Sequence, residues 1–336
     1  MGVSVVFGGQ WGSEGKGKTT YFFAKKLNAS VVVRVGGTNS GHTIVTDEGK
    51  RMVFRILPVA SVLEGVTCVL PSGSYIDVNV LIKEVQLSGI RKDLLKIHPN
   101  AVIIKKNDGV KEANVNLNKK IGSTESGTGS AVISRIKRNS EVLLARDCKE
   151  LKPYLCDTSD YLRSELNKSH EIIIEGTQGF GLSLLHAKEY PFATSRDTSV
   201  AAFVSEAGLS PFDVTNIIMT LRAFPIRVAG NSGPLPQETT WESVSEIAQS
   251  SFLLSEYTTV TKRIRRVAKF DMEVVQRSIN TNRPNIIVLN HCDYFDYSIN
   301  NQMFLSSRAE NCVKHIEEQI GKVDYVGTGD RTTFMR

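Results

Sequence analysis

The sequence has 336 residues, 41% of them hydrophobic and 23% charged, with a formal net charge of +6 and a pI near 9.0. That length buries a sizeable core, enough for one large α/β domain or two modest ones, and the composition is ordinary for a soluble globular protein. The mild basic excess suits anionic ligands; because the cations are scattered and no RNA-binding or helix-turn-helix signature occurs, nucleic acid is not expected as a partner.

Residues 3–7 form an apolar run that leads directly into Gly8-Gly9-Gln10-Trp11-Gly12-Ser13-Glu14-Gly15-Lys16-Gly17-Lys18-Thr19, and then into a helical pattern over 20–27. A buried strand, a glycine loop and a helix N-terminus in that order are a phosphate-binding arrangement, because loop N–H groups and the positive helix end converge on one spot. Residues 12–19 also satisfy the Walker A spacing G-x-x-x-x-G-K-S/T, in which Lys18 reaches phosphate and Thr19 a Mg²⁺ ion.

A second β-branched strand is predicted over 30–35. It ends in Gly36-Gly37-Thr38-Asn39-Ser40-Gly41-His42-Thr43, a polar glycine loop where α/β proteins bind ligands. His42 is read either as a hydrogen-bonding surface residue or as a catalyst. A hairpin follows over 43–56, a strand over 66–70, and a helix capped by Asp77 and ended by Gly89. Residues 100–106 read as a strand and 107–120 as a polar surface excursion. The hydroxyl- and glycine-rich stretch 121–130 is either a flexible linker or a phosphate-binding loop served by Arg135, Lys137 and Arg138.

Further along, a helix is predicted over 151–167 and a buried strand over 171–174, running into Glu175-Gly176-Thr177-Gln178-Gly179. Asp197 is expected to cap a helix over 199–207, and a strand over 216–224 precedes a turn-rich stretch at 230–236. The run Thr258-Thr259-Val260-Thr261-Lys262-Arg263-Ile264-Arg265-Arg266 is either a solvated face or a clamp for carboxylates. A last core strand over 284–289 ends at Asn290-His291-Cys292-Asp293, similar to the GTPase base-reading N-K-x-D with His in place of Lys. A helix over 302–320, a strand over 323–326 and Gly327-Thr328-Gly329-Asp330-Arg331 close the chain.

The five cysteines show no C-x-x-C spacing and are read as reduced thiols. No signal peptide, membrane span or myristoylation motif is recognised, so a cytoplasmic location is expected, the host cytoplasm if the protein is viral. With no internal repeat or linker, the expected fold is α/β: a mostly parallel central sheet flanked by helices, in a single domain spanning 1–336.

Residues 9–18, 36–43, 175–179, Tyr190-Pro191-Phe192-Ala193-Thr194-Ser195 and the basic run together resemble the adenylosuccinate synthetase family, in the family's order along nearly the whole chain. The resemblance implies a two-step ligation. Purine O6 takes the γ-phosphoryl of a nucleoside triphosphate, and the amino group of L-aspartate then displaces phosphate from C6. It also implies Mg²⁺ as cofactor and a homodimer. Carried over by position, Lys16 holds the transferring phosphoryl and His42 is the acid for the donor. Gly12, Glu14, Gly15, Gly17, Lys18, Thr19, Thr43, Asn290, Asp293, Gly327 and Gly329 bind the donor nucleotide. Asn39, Ser123, Thr124, Gln178, Thr194 and Val228 bind the acceptor nucleotide, Gln178 also counting among the catalytic residues, and Arg138 reaches the acceptor's phosphate from the other subunit. Thr259, Val260, Thr261, Arg263 and Arg265 enclose aspartate, and Ser13 and Gly41 are the metal positions.

The chain departs from the family pattern at three places. The family has Asp at position 13, as general base on purine N1 and as Mg²⁺ ligand; Ser13 is a poor base near pH 7. Lys262 and Ile264 alter the aspartate loop. Asn290-His291-Cys292-Asp293 lacks the family's lysine, and the turn at 327–330 lacks its proline. Serine at 13 is similar to the phage-type branch, the 2-aminoadenylosuccinate synthetases, which implies dGMP as acceptor and ATP or dATP as donor; IMP with GTP is the alternative, and a P-loop nucleotide switch a more distant one.

Overall fold

The computed structural model describes residues 2–138, 140–258 and 263–336. Nine strands form its central sheet: β1 (Val3–Gly8), β2 (Val31–Arg34), β3 (Thr67–Leu70), β4 (Leu95–Ile97), β5 (Ile172–Glu175), β6 (Val214–Arg222), β7 (Ile286–Asn290), β8 (Tyr325–Gly327) and β9 (Thr333–Met335). Their spatial order is β9-β8-β7-β6-β1-β5-β2-β3-β4. Every neighbouring pair is parallel except β8 and β9. The expected α/β architecture with a mostly parallel sheet is therefore the observed one.

The uninterrupted apolar runs at β1, β2 and β5 follow from burial on both faces. Val5, Phe7, Val33 and Ile174 pack on one side with Phe203 and Val204 from the helix Val200–Ala207. Val6, Val32 and Ile173 pack on the other with Phe23 and Ala24 from the helix Lys16–Lys26. Each fully buried Val, Ile or Phe contributes roughly 1.5–3 kcal/mol relative to exposure.

Parallel strands send all their C-terminal loops to one edge of the sheet. The loops after Gly8, Arg34, Glu175, Asn290 and Gly327 therefore meet, although they are far apart in sequence.

Several boundaries differ from expectation. The first helix starts at Lys16, not at residue 20, because Gly15 at φ 88° supplies the sharp turn into it. The polar stretch 107–120 is two helices, Lys106–Asn114 and Leu117–Ile121, rather than a surface excursion. The helix expected over 151–167 is Thr158–Asn167, started by Asp157, whose side chain accepts from the Ser159 and Asp160 amides. The helix expected over 302–320 starts only at Ser307, after a Ser306 cap. Asp197 does not itself cap Val200–Ala207; Ser199 does, and Asp197 holds the Ser199 hydroxyl. The helices Thr128–Ile136, Trp241–Ala248 and Met272–Asn282 were not anticipated. No helix among the described residues is long and apolar enough to cross a membrane, and all five cysteines are free thiols.

Candidate active site

The converging loops enclose a cavity of about 950 Å³, lined among others by Ser13, Lys16, His42, Thr124, Gln178, Arg265 and Asp293. At its floor the 8–19 loop is organised by the buried Glu14 carboxylate. It accepts hydrogen bonds from the Gly12 amide at 2.7 Å, the Gln10 amide at 3.2 Å and Lys16 Nζ at 2.6 Å. Gly12, Gly15 and Gly17 lie along the same wall. At Gly17 an added Cβ would come within 3.0 Å of both His42 Cβ and the Thr43 carbonyl, so only glycine lets the two loops approach this closely.

His42 is 5% exposed and sits against Arg34 and Glu175. Its Nδ1 lies 2.5 Å from Glu175 Oε1, and Arg34 Nη1 donates to that same oxygen at 2.9 Å. Glu175 Oε2 accepts the Val59 amide at 2.9 Å. Burial, added to the nearby Arg34 and Lys16 charges, holds His42 well below the usual histidine range. Burial pushes the Glu175 carboxyl up to about 7, against the pull of Arg34. Neither Arg34 nor Glu175 was singled out from sequence as a site residue. The signal was a lone arginine ending a β-branched run and a glutamate ending an isoleucine run, each at the C-terminal end of its strand.

The end of the cavity expected to take the donor base is braced internally. Lys18 Nζ donates to the carbonyls of Gly329 at 2.8 Å and Thr332 at 3.1 Å. It is thus turned toward the 327–332 turn and not toward the phosphate loop, contrary to the Walker A reading. Burial lowers the Lys18 pKa to about 8, with Asp293 opposing. Thr19 is fully buried, its hydroxyl receiving Asn290 Nδ2 at 3.2 Å; Asn290 also donates to the Glu14 carbonyl at 2.9 Å. Thr19 and Asn290 therefore lock the loop to β7 rather than face the cavity. Asp293 accepts the Gly329 amide and Asn300 Nδ2, both at 2.8 Å. Gly327 lies beneath Asn290 and Lys18.

On the opposite side, Asn39 Nδ2 donates to Thr194 Oγ1 at 3.4 Å. Ser123, Thr124, Gln178 and Val228 also line the cavity. The stretch 121–130 is not a linker: Glu112 receives the Gly127 and Ser130 amides at 2.9 and 3.1 Å and so ties down the start of the helix Thr128–Ile136. Arg138 is exposed and does not line the cavity of its own chain.

The described ends of the basic run pair with each other and with the residues just before it. Tyr257 bridges Ile264, Thr258 N donates to the Arg263 carbonyl at 2.9 Å, and Arg265 N donates to the Glu256 carbonyl at 2.8 Å. Arg263 and Arg265 face the cavity; Thr259, Val260 and Thr261 lie outside the described residues. Arg265 Nη1 donates to Ser13 Oγ at 2.6 Å, and Arg222 Nη1 to the Ser13 carbonyl at 3.0 Å. Glu256 pairs with Arg222 and accepts from Tyr294 Oη at 3.0 Å. Burial alone would raise Glu256, but Arg222, His291 and Arg265 together hold it far below the carboxylate range.

Residues 5–145 and 140–300 match the protein family described as adenylosuccinate synthetase. The chain belongs to the adenylosuccinate synthetase family. It is 35% identical to the adenylosuccinate synthetase of Methanococcus aeolicus over 337 aligned residues, covering 98% of this chain and 97% of that one. The Methanocaldococcus jannaschii protein of the same name is 33% identical, with 97% and 94% coverage. Among solved structures, the chain is similar to the succinoaminodeoxyadenylate synthetase PurZ of cyanophage S-2L, solved bound to dGMP and dATP as an energy donor. That likeness has a TM-score of 0.83 and 28% identity, and covers 99% of this chain and 95% of that one. The fully ligated adenylosuccinate synthetase of Plasmodium falciparum shares the fold, with a TM-score of 0.86 at 18% identity, covering 100% and 99%.

Membership in the adenylosuccinate synthetase family makes this protein a carbon–nitrogen ligase joining aspartate to a purine nucleotide, and the cavity its candidate substrate site. The metal expected at Ser13 and Gly41 fits these residues poorly. Ser13 Oγ already holds a guanidinium, Gly41 offers only a carbonyl, and the Glu14 carboxylate is committed to two amides and Lys16. Among the described residues no group of three His, Cys, Asp or Glu side chains could hold an ion. Mg²⁺ is usually held by one or two carboxylates together with substrate phosphates, and neither Ser13 nor Gly41 supplies one.

Proposed function

We propose that the protein joins L-aspartate to C6 of dGMP through a 6-phosphoryl intermediate, with ATP or dATP as phosphoryl donor. The observation that carries this reading is Ser13: a neutral hydroxyl stands at the cavity wall where the ordinary enzymes place an aspartate. Being smaller, it leaves room beside purine N1 and C2 for the exocyclic amino group of guanine, and its oxygen is a hydrogen-bond acceptor. The likeness to a synthetase solved with dGMP and dATP supports the same choice. Donor choice is supported by Asp293. The carboxylate that would read guanine already accepts from Gly329 and Asn300, and a partly buried His291 replaces the usual lysine.

In this reading Lys16 and the loop amides seat the transferring phosphoryl, and His42 stands beside the leaving donor phosphate. Asn39, Ser123, Thr124 and Thr194 seat the acceptor phosphate, and Arg263 and Arg265 face the aspartate carboxylates. Mg²⁺, when bound, would neutralise phosphate charge. The 336 residues act as one domain, since the central sheet draws strands from both ends of the chain. We read the active species as a homodimer: the helix ending just before Arg138 exposes Ile133 and Ile136, at 55% and 71%, and a second copy would cover them.

The second reading is ligation to IMP with GTP. It is favoured by relatives at 32–35% identity that carry the adenylosuccinate synthetase name. Incubating the protein with aspartate and ATP, dATP or GTP, with either dGMP or IMP, and following phosphate release and product mass separates the two. Succinyl product with dGMP is expected; turnover with IMP alone would reject the dGMP reading. Aspartate-independent hydrolysis without a succinyl product would reject ligation.

A further inference from the structure

We infer that Ser13 acts in the second step, the addition of aspartate, as a hydrogen-bond donor to purine N1, and that Arg265 is the positioning residue that turns its hydroxyl toward the substrate. The inference rests on the two-step ligase reading above and names the residue that handles N1 once the usual aspartate is gone.

A serine hydroxyl carries one proton and two lone pairs. Arg265 Nη1 donates into one of those lone pairs at 2.6 Å, so the hydroxyl's own O–H points away from the guanidinium. Among the described residues no other hydrogen bond of Ser13 Oγ is seen, and the residue is exposed on the cavity wall. The orientation is imposed from outside the loop. Ser13 sits at φ 59° with its carbonyl held by Arg222. Arg265 is held by its amide on the Glu256 carbonyl and by Nε on the Tyr257 carbonyl at 3.2 Å. Glu256 takes up the charge of Arg222 and is itself held by Tyr294.

A guanidinium on its oxygen makes the hydroxyl a weaker base and a stronger donor. That matches the second step rather than the first. In the 6-phosphoryl purine, N1 has lost its proton and carries a lone pair. The aspartate amine forms the C6–N bond, and the C6=N1 π pair moves onto N1, where the Ser13 O–H meets it. The pair then returns, C6=N1 re-forms, the C6–O bond breaks, and phosphate departs with the proton given up by the amine. Ser13 transfers no proton; it is a fixed dipole aimed at charge that develops only during addition.

The two steps can be read separately in the full-length protein. Positional isotope exchange in β,γ-bridge-labelled ATP, with dGMP but without aspartate, reports phosphoryl transfer; succinyl product reports the whole reaction. For Ser13→Ala at saturating dGMP, exchange is expected to fall far less than product formation, which should drop about 10²- to 10³-fold, the usual cost of one lost transition-state donor. Ser13→Thr, which keeps the hydroxyl, should recover much of that loss. Arg265→Leu, at a residue that also faces aspartate, should show the same split as Ser13→Ala in kcat at saturating aspartate and not only in the aspartate KM. Parallel loss of exchange and product in Ser13→Ala would overturn the assignment and place Ser13 in the first step. A wild-type protein giving neither exchange nor product with any acceptor would instead overturn the ligase reading, and this inference with it.

Discussion

Oε1 of Glu175 lies 2.5 Å from Nδ1 of His42 at the buried end of the cavity, while its Oε2 accepts the Val59 amide. The carboxylate at Nδ1, together with Arg34 Nη1 at 3.1 Å from Nε2, fixes the orientation of the His42 ring. Glu175→Gln puts an amide N–H where His42 needs an acceptor and leaves the buried Arg34 without its counter-charge. We expect kcat to fall about 10²-fold from a misoriented His42. Unfolding stability should fall by about 3 kcal/mol, as when one partner of a buried pair is removed. Denaturant melts and steady-state kinetics on the same variant check both; an unchanged kcat would remove Glu175 from the mechanism.

Lys18 is tied to the carbonyls of Gly329 and Thr332. If it braces the donor end and does not touch the transferring phosphoryl, Lys18→Met should act on binding. An approximately tenfold rise in donor KM is expected, corresponding to the 1–2 kcal/mol of a lost charged hydrogen bond, with kcat nearly retained. Lys16→Met, by contrast, should abolish kcat. Equal collapse of kcat in both variants would show that Lys18 is a phosphoryl ligand after all.

His291 is pushed down to about 3 by burial and by the adjacent Arg222 charge, from an ordinary value of 6.5. Between those values the unfolded chain binds a proton that the folded chain refuses. This residue's contribution to stability is therefore complete above pH 6.5 and is lost as pH falls toward 3. Glu175, raised to about 7, has the opposite slope between its ordinary 4.5 and 7. Comparing variants isolates the histidine: His291→Asn should flatten the fall of Tm between pH 6.5 and 4. A profile parallel to wild type would contradict the assignment.

Chelation should separate fold from turnover. With no built cage of carboxylates among the described residues, EDTA is expected to leave the Tm of the nucleotide-free protein unchanged while stopping catalysis. A marked drop in Tm on chelation would show a protein-held ion.

The parallel sheet was legible in sequence because its central strands are buried on both faces and so appear as unbroken runs such as Ile172-Ile173-Ile174 ending in glycine loops. The helices Trp241–Ala248 and Met272–Asn282 were not, since short polar-faced segments become helical through packing on the sheet more than through local preference. Lys18 shows the same limit within the site. Its spacing from Gly12 fits a phosphate ligand, yet the carbonyls that claim it lie more than 300 positions away.

The sequence by itself determined the family, the parallel sheet and the loops that meet at its edge, because glycines, hydroxyls and cations at strand ends are local features. Only the tertiary structure decided what those residues hold. A spacing pattern carries no information about which distant partner satisfies a buried charge. Burial therefore joined Glu175 to His42, tied Lys18 to the 327–332 turn, and placed Arg265 on the hydroxyl of Ser13.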